Sequence, residues 1–76
     1  MGKIILEYNG RRYYLRSGDI PNLTGSGKIE IVNKKNSQFQ TTEGNFRDIR
    51  CDQVNGHSYI NGVNIEDLIK RLDAER

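Results

Sequence analysis

The sequence predicts a small α+β domain: a β-rich antiparallel sheet, made of an N-terminal hairpin and about three further short strands, closed by one C-terminal helix. Three observations carry that prediction. Asn9-Gly10, Asn55-Gly56 and Asn61-Gly62 each follow a run of β-forming residues, and Asn-Gly supplies the two positive φ angles of a type I′ hairpin turn. Near the C-terminus the pattern changes to helical spacing, with Ile65, Leu68, Ile69 and Leu72 at i, i+3, i+4 and i+7. A chain of 76 residues, 34% of them apolar, supports one domain over residues 1–76.

The first hairpin pairs Lys3 to Tyr8 with Arg11 to Arg16. A two-residue turn sets Tyr8 against Arg11, Leu6 against Tyr13 and Ile4 against Leu15 on the face expected to enter the core. The other face carries Ile5 and Tyr14 inside a frame of Lys3, Glu7, Arg12 and Arg16, a pattern that suits a half-wet contact surface. From Ser17 to Gly27, one proline and several glycines break any periodicity, so a long loop is expected, pinned by Ile20 and Leu23 and either functional or poorly ordered.

Lys28 to Val32 reads as a short strand with Ile29 and Ile31 on one side, followed by a polar turn from Asn33 to Ser37. Gln38 to Thr42 and Phe46 to Val54 read as two more strands around Glu43-Gly44-Asn45, and His57 to Ile60 as a very short one. Asn64 is placed to cap the helix, with Asp67 three residues on; Glu66 with Lys70 and Asp67 with Arg71 have the spacing of helical ion pairs. The helix stripe must dock on the sheet or on the same helix of a second copy. The expected core is Ile4, Leu6, Leu15, Ile29, Ile31, Ile49, Val54, Ile60, Leu68, Ile69 and Leu72.

Composition excludes several classes of function. The longest apolar run, Ile4-Ile5-Leu6, is far short of the roughly 18 residues of a membrane helix, and no secretory signal is expected. The single Cys51 cannot form an internal disulfide, in keeping with a reducing, cytoplasmic setting. A net charge of +2 is wrong for an acidic DNA mimic and small for a nucleic-acid binder. Basic residues nevertheless concentrate in the first fifty positions, nine against five acidic, while the remainder holds three against five. A domain this small obtains only about 3–5 kcal/mol from its core, which favours assembly or docking on a partner.

For catalysis, the only nucleophile and base on offer are Cys51 and His57. A tight Asn55-Gly56 turn pairs Val54 with His57 and Cys51 with Ile60, which puts Cys51 and His57 on opposite faces and argues against a dyad. Cys51 is expected as a small buried apolar residue. The same register sets Asp52 diagonal to His57, a polar contact or proton-transfer pair. One histidine and scattered carboxylates give no metal-ligand spacing, and Gly25-Ser26-Gly27-Lys28 lacks the phosphate-loop pattern. Neither an enzyme, a metal site nor a cofactor is expected.

The segment from Arg11 to Arg16 interleaves cations and aromatics. Its candidate binding residues are Arg11, Arg12, Tyr14 and Arg16, extended by Lys34 and Lys35. The expected function is non-catalytic binding to a protein partner with an acidic surface, Tyr14 acting as the desolvated anchor and the arginines as charged donors. The alternatives are a nucleic-acid-binding domain using the same Arg/Tyr strand and a homo-oligomer that sequesters a small anion. In general character, a tiny hairpin protein with nine Ile and eight Asn resembles accessory proteins of phages and mobile elements. That resemblance implies inhibition of a host enzyme or defence complex by occlusion, in the host cytoplasm.

Overall fold

The computed structural model describes residues 2–35 and 37–75. In chain order the elements are β1 (Ile4–Tyr8), β2 (Arg11–Leu15), β3 (Thr24–Lys34), β4 (Ser37–Arg47), β5 (Cys51–Val54), β6 (His57–Ile60), β7 (Val63–Asn64) and α1 (Ile65–Ala74). They make the expected small α+β fold as two sheets, ordered β2-β1-β3-β4 and β5-β6-β7, with one C-terminal helix.

Asn9, Asn55 and Asn61 all adopt positive φ, at 49°, 52° and 49°, and the hairpin registers follow from those turns. Leu6 lies opposite Tyr13 and Ile5 opposite Tyr14, while Val54 meets His57 and Cys51 meets Ile60. The turn asparagines also act at long range. Asn9 Oδ1 accepts from the Asn33 backbone N–H at 2.8 Å, tying the first turn to β3. Asn61 accepts from the Arg50 N–H and donates to the Pro21 carbonyl, both at 2.7 Å.

The core lies between the inner face of the four-stranded sheet and the second sheet with its helix. Leu6, Ile29, Ile31, Ile60 and Ile65 are completely buried, joined by Tyr13, Ile20, Leu68 and Ile69. Ile4, Leu15, Leu23, Ile49 and Leu72 pack at the rim, half-buried. Asn64 caps α1 as expected by accepting from the Asp67 N–H at 3.1 Å. The helix buries its stripe within its own chain, so it is not left over to dimerise. Its charged residues reach across the fold: Glu66 Oε1 lies 2.5 Å from His57 Nδ1, and Arg71 Nη2 lies 3.1 Å from Asp19 Oδ1.

Four expectations are corrected. First, the sheet is mixed, because β3 runs parallel to β1 with Leu6 opposite Ile29. No crossover helix is needed: β2 returns to the end where β1 begins, and the loop after it has only to pass around that end before β3 starts. Second, that loop is shorter than expected, because β3 begins at Thr24 and takes in Gly25, Ser26 and Gly27. Third, β4 is continuous from Ser37 to Arg47, paired along its whole length with β3, and the chain does not turn at Glu43-Gly44-Asn45.

Gly27 and Gly44 explain the second and third. They face each other with φ of 149° and 109°, a region open to glycine alone. A Cβ on Gly27 would sit 1.9 Å from the Glu43 carbonyl oxygen, and one on Gly44 2.4 Å from that of Ser26. The glycines therefore permit close approach of two strands rather than ending them.

Fourth, Val54 is 52% exposed and Cys51 is exposed too. Although Cys51 is paired with the fully buried Ile60, β5 is the edge strand of the small sheet and lies outboard of the core, so all four of its residues face solvent.

Candidate binding face

The four-stranded sheet has one covered face and one open face, and strand alternation decides which residues lie on each. On the inner side, Tyr13, Leu6, Ile29 and Thr42 form a row across β2, β1, β3 and β4. One residue further along, Tyr14, Ile5, Lys28 and Glu43 form a row on the outer side, beside a second row of Arg12, Glu7, Glu30 and Thr41. Val32 opposite Phe39 continues this outer face. Tyr14 is 59% exposed and Phe39 58%, so neither aromatic ring is used by the core.

The polar centre of the face is Glu7. Its Oε2 accepts from Arg12 Nε at 3.1 Å and Nη2 at 3.0 Å, while Lys28 Nζ lies 3.6 Å from Oε1. The Arg12 hydrogen bond holds the Glu7 carboxyl below the ordinary glutamate range; desolvation opposes this and the Lys28 charge reinforces it. The Arg12 guanidinium is raised in turn, first by Glu7 and then by the neighbouring Tyr14. A guanidinium has five N–H donors in a planar fork. Glu7 engages Nε and Nη2, so Arg12 is fixed in orientation while keeping donors for a partner.

The six residues singled out from sequence do not form one cluster. Arg12 and Tyr14 lie together on the outer face of β2, and Arg16 follows just past the strand, its backbone N–H donating to Asp19 Oδ2 at 2.8 Å. Arg11 alternates to the other side, opposite Tyr8 at the hairpin tip. Lys34 has outer-face parity but stands two strands over and four residues further on from the Arg12 row, about 16 Å away at ordinary strand spacings. Lys35 lies in the adjoining turn.

Glu7 and Glu30 lie between the two basic groups, and Glu43 stands beside Lys28 on β4, so the face is mixed in charge. Lys28 escaped the sequence reading because it joins Glu7 only through the parallel pairing, which has no local signal. Phe39 could have been found by following alternation from Val32 through an uninterrupted hairpin.

Elsewhere the chemistry is sparse. Cys51 and His57 lie on opposite faces of the β5–β6 hairpin. Asp52 pairs with Arg50, Nε to Oδ2 at 3.6 Å, and the expected contact with His57 is replaced by the Glu66 contact. Among the described residues, no three His, Cys, Asp or Glu side chains gather as metal ligands would. Among the same described residues, no helix is long and apolar enough to cross a membrane. Comparison with known proteins finds no matching family model, curated protein or solved structure.

Proposed function

We propose that the protein is a non-catalytic binding protein that docks on an acidic protein surface through the outer face of β2. The observation that carries this reading is Tyr14: a large aromatic, 59% exposed, beside an arginine whose direction is fixed by Glu7. Exposed Tyr next to oriented Arg is the combination that dominates interface energetics when buried by a partner. Ile5 lies directly opposite Tyr14 and extends the apolar ground, with Arg16 at the margin.

The mixed charge of the face favours a protein over a nucleic acid, since a phosphate backbone is gripped by an unbroken basic track. Glu7 and Glu30 interrupt any such track between β2 and Lys34. An occluding inhibitor of the kind encoded by phages and mobile elements fits this proposal, because occlusion needs only a rigid face and no catalytic group.

The test is a pull-down on immobilised wild type and Tyr14→Ala from cytoplasmic extract, followed by titration of the retained protein against both forms. A partner that Tyr14→Ala binds about 1–3 kcal/mol more weakly, with modest salt dependence, is the expected result. Equal affinity of the two forms would remove this face from the function. Binding to single-stranded oligonucleotides that weakens steeply with salt would instead establish the nucleic-acid alternative.

A further inference from the structure

The four-stranded sheet ends in two very different edges. One is β2, five residues long and carrying Arg11 and Arg12, charges of the kind that discourage strand addition. The other is β4, eleven residues long, whose segment from Ser37 to Thr42 contains no charge, no proline and no glycine. Such a segment on an open edge is a template for another strand. Phe39, exposed on the outer face, lies in the middle of it.

We propose that β4 is a self-association edge: two copies of this chain pair β4 with β4, antiparallel about a two-fold axis through Phe39, to make one continuous eight-stranded sheet.

The register follows from three observations. Gln53 Nε2 donates to the Gln38 carbonyl at 3.4 Å, from the side of the small sheet, so the Gln38 backbone groups point away from β3. By antiparallel alternation those of Gln40 and Thr42 do the same, while Phe39 and Thr41 turn theirs toward β3. A second β4 must therefore match outward residues with outward residues, which requires the two-fold axis to pass through a residue and not between two.

Of the possible centres, Phe39 sets the two rings against each other at a non-hydrogen-bonded pair, where side chains approach most closely. In the same register Gln38 meets Gln40 of the second copy. Gln38 Nε2 is buried without an acceptor among the described residues, and a facing carboxamide supplies one. The long Gln53 contact gives way to the two backbone hydrogen bonds that Gln38 and Gln40 exchange. Isologous pairing closes at two copies, and the outer faces of both β2 strands are presented on the same side of the extended sheet.

Sedimentation or light scattering over a concentration series tests the association, with cross-linking to test the register. Wild type is expected to reach twice the 8.7 kDa chain mass as concentration rises. Phe39→Lys, which sets like charges against each other, should weaken self-association at least tenfold with an unchanged circular dichroism spectrum. In a Cys51→Ser background, needed because Cys51 is exposed, Phe39→Cys should oxidise to a covalent dimer. The Cα atoms there would be about 4.5 Å apart, within disulfide reach.

Thr41→Cys in the same background should not oxidise to a dimer, because its counterpart is displaced by four residues. A wild type that stays monomeric, even one whose edge captures some unrelated extended peptide, overturns the proposal. So do open-ended oligomers, or equal cross-linking at positions 39 and 41. If Phe39→Lys fails to fold, the comparison of the two cysteine variants still decides the register.

Discussion

Gly27→Ala is the substitution that most directly probes how the long hairpin is built. The new methyl group meets two penalties. The first is conformational, since φ is 149° and side chains in that region cost about 1–3 kcal/mol. The second is steric: the Cβ would stand 1.9 Å from the Glu43 oxygen, so the β3 and β4 backbones must separate by about 1 Å to reach even a tight contact. Two flanking ladder hydrogen bonds then stretch beyond useful length, at about 1 kcal/mol each.

The stiffer unfolded chain returns about 0.4–1 kcal/mol, which leaves a net loss of roughly 3–4 kcal/mol. That is close to the entire stability of a domain this size, about 3–5 kcal/mol. Gly56→Ala is the control, with φ of 77° and nothing within 4 Å of the added Cβ; it carries backbone strain alone, about 1 kcal/mol.

Urea titration followed by far-ultraviolet circular dichroism reads both. With a slope of about 1 kcal/mol per molar, Gly56→Ala should lower the midpoint by about 1 M, and Gly27→Ala should abolish the folded baseline. If Gly27→Ala lowers the midpoint no more than Gly56→Ala, the close approach of the two strands is not a structural requirement and the account of β3 and β4 is wrong.

Two further predictions concern stability. Asn64→Ala removes the side chain that accepts from the Asp67 N–H and should cost about 1 kcal/mol; an unchanged urea midpoint would show that the cap contributes nothing. The Glu7 carboxyl titrates below its ordinary value in the folded state, so its contribution is complete above the unfolded pKa of about 4.3 and is lost as pH falls through the folded value. Wild type should therefore lose stability relative to Glu7→Gln on acidification below about pH 4.3. Parallel stability curves for the two proteins would refute the linkage.

What was legible in the sequence was whatever its local signals specify. The Asn-Gly turns set two hairpin registers residue by residue, and the stripe from Ile65 to Leu72 with Asn64 ahead of it located the helix. Non-local relations were the ones hidden. Nothing near Leu6 announces Ile29 as its parallel neighbour, and Gly25, Gly27 and Gly44 send the same breaker signal whether a chain turns or two strands approach closely. The candidate face was legible in part for the same reason. Tyr14 and Arg12 share a side of the first hairpin and could be placed together, whereas Lys28 arrives from a strand whose alignment no turn dictates. Val54 and Cys51 had strand-forming or apolar character, but sequence does not say that their strand lies at an edge.

The parallel seam between β1 and β3 also sets the order of events in time. Each adjoining hairpin, β1 with β2 and β3 with β4, closes through neighbouring residues, and hairpins of this kind zip within about 1–10 μs. Neither can bury Leu6 or Ile29 by itself, because the two lie side by side on one face whose cover is the second sheet and α1. The ribbons therefore gain lasting structure only when they meet along the seam and β6 and α1 close over them, so a nascent chain must be synthesised through α1 before its first hairpin is secured.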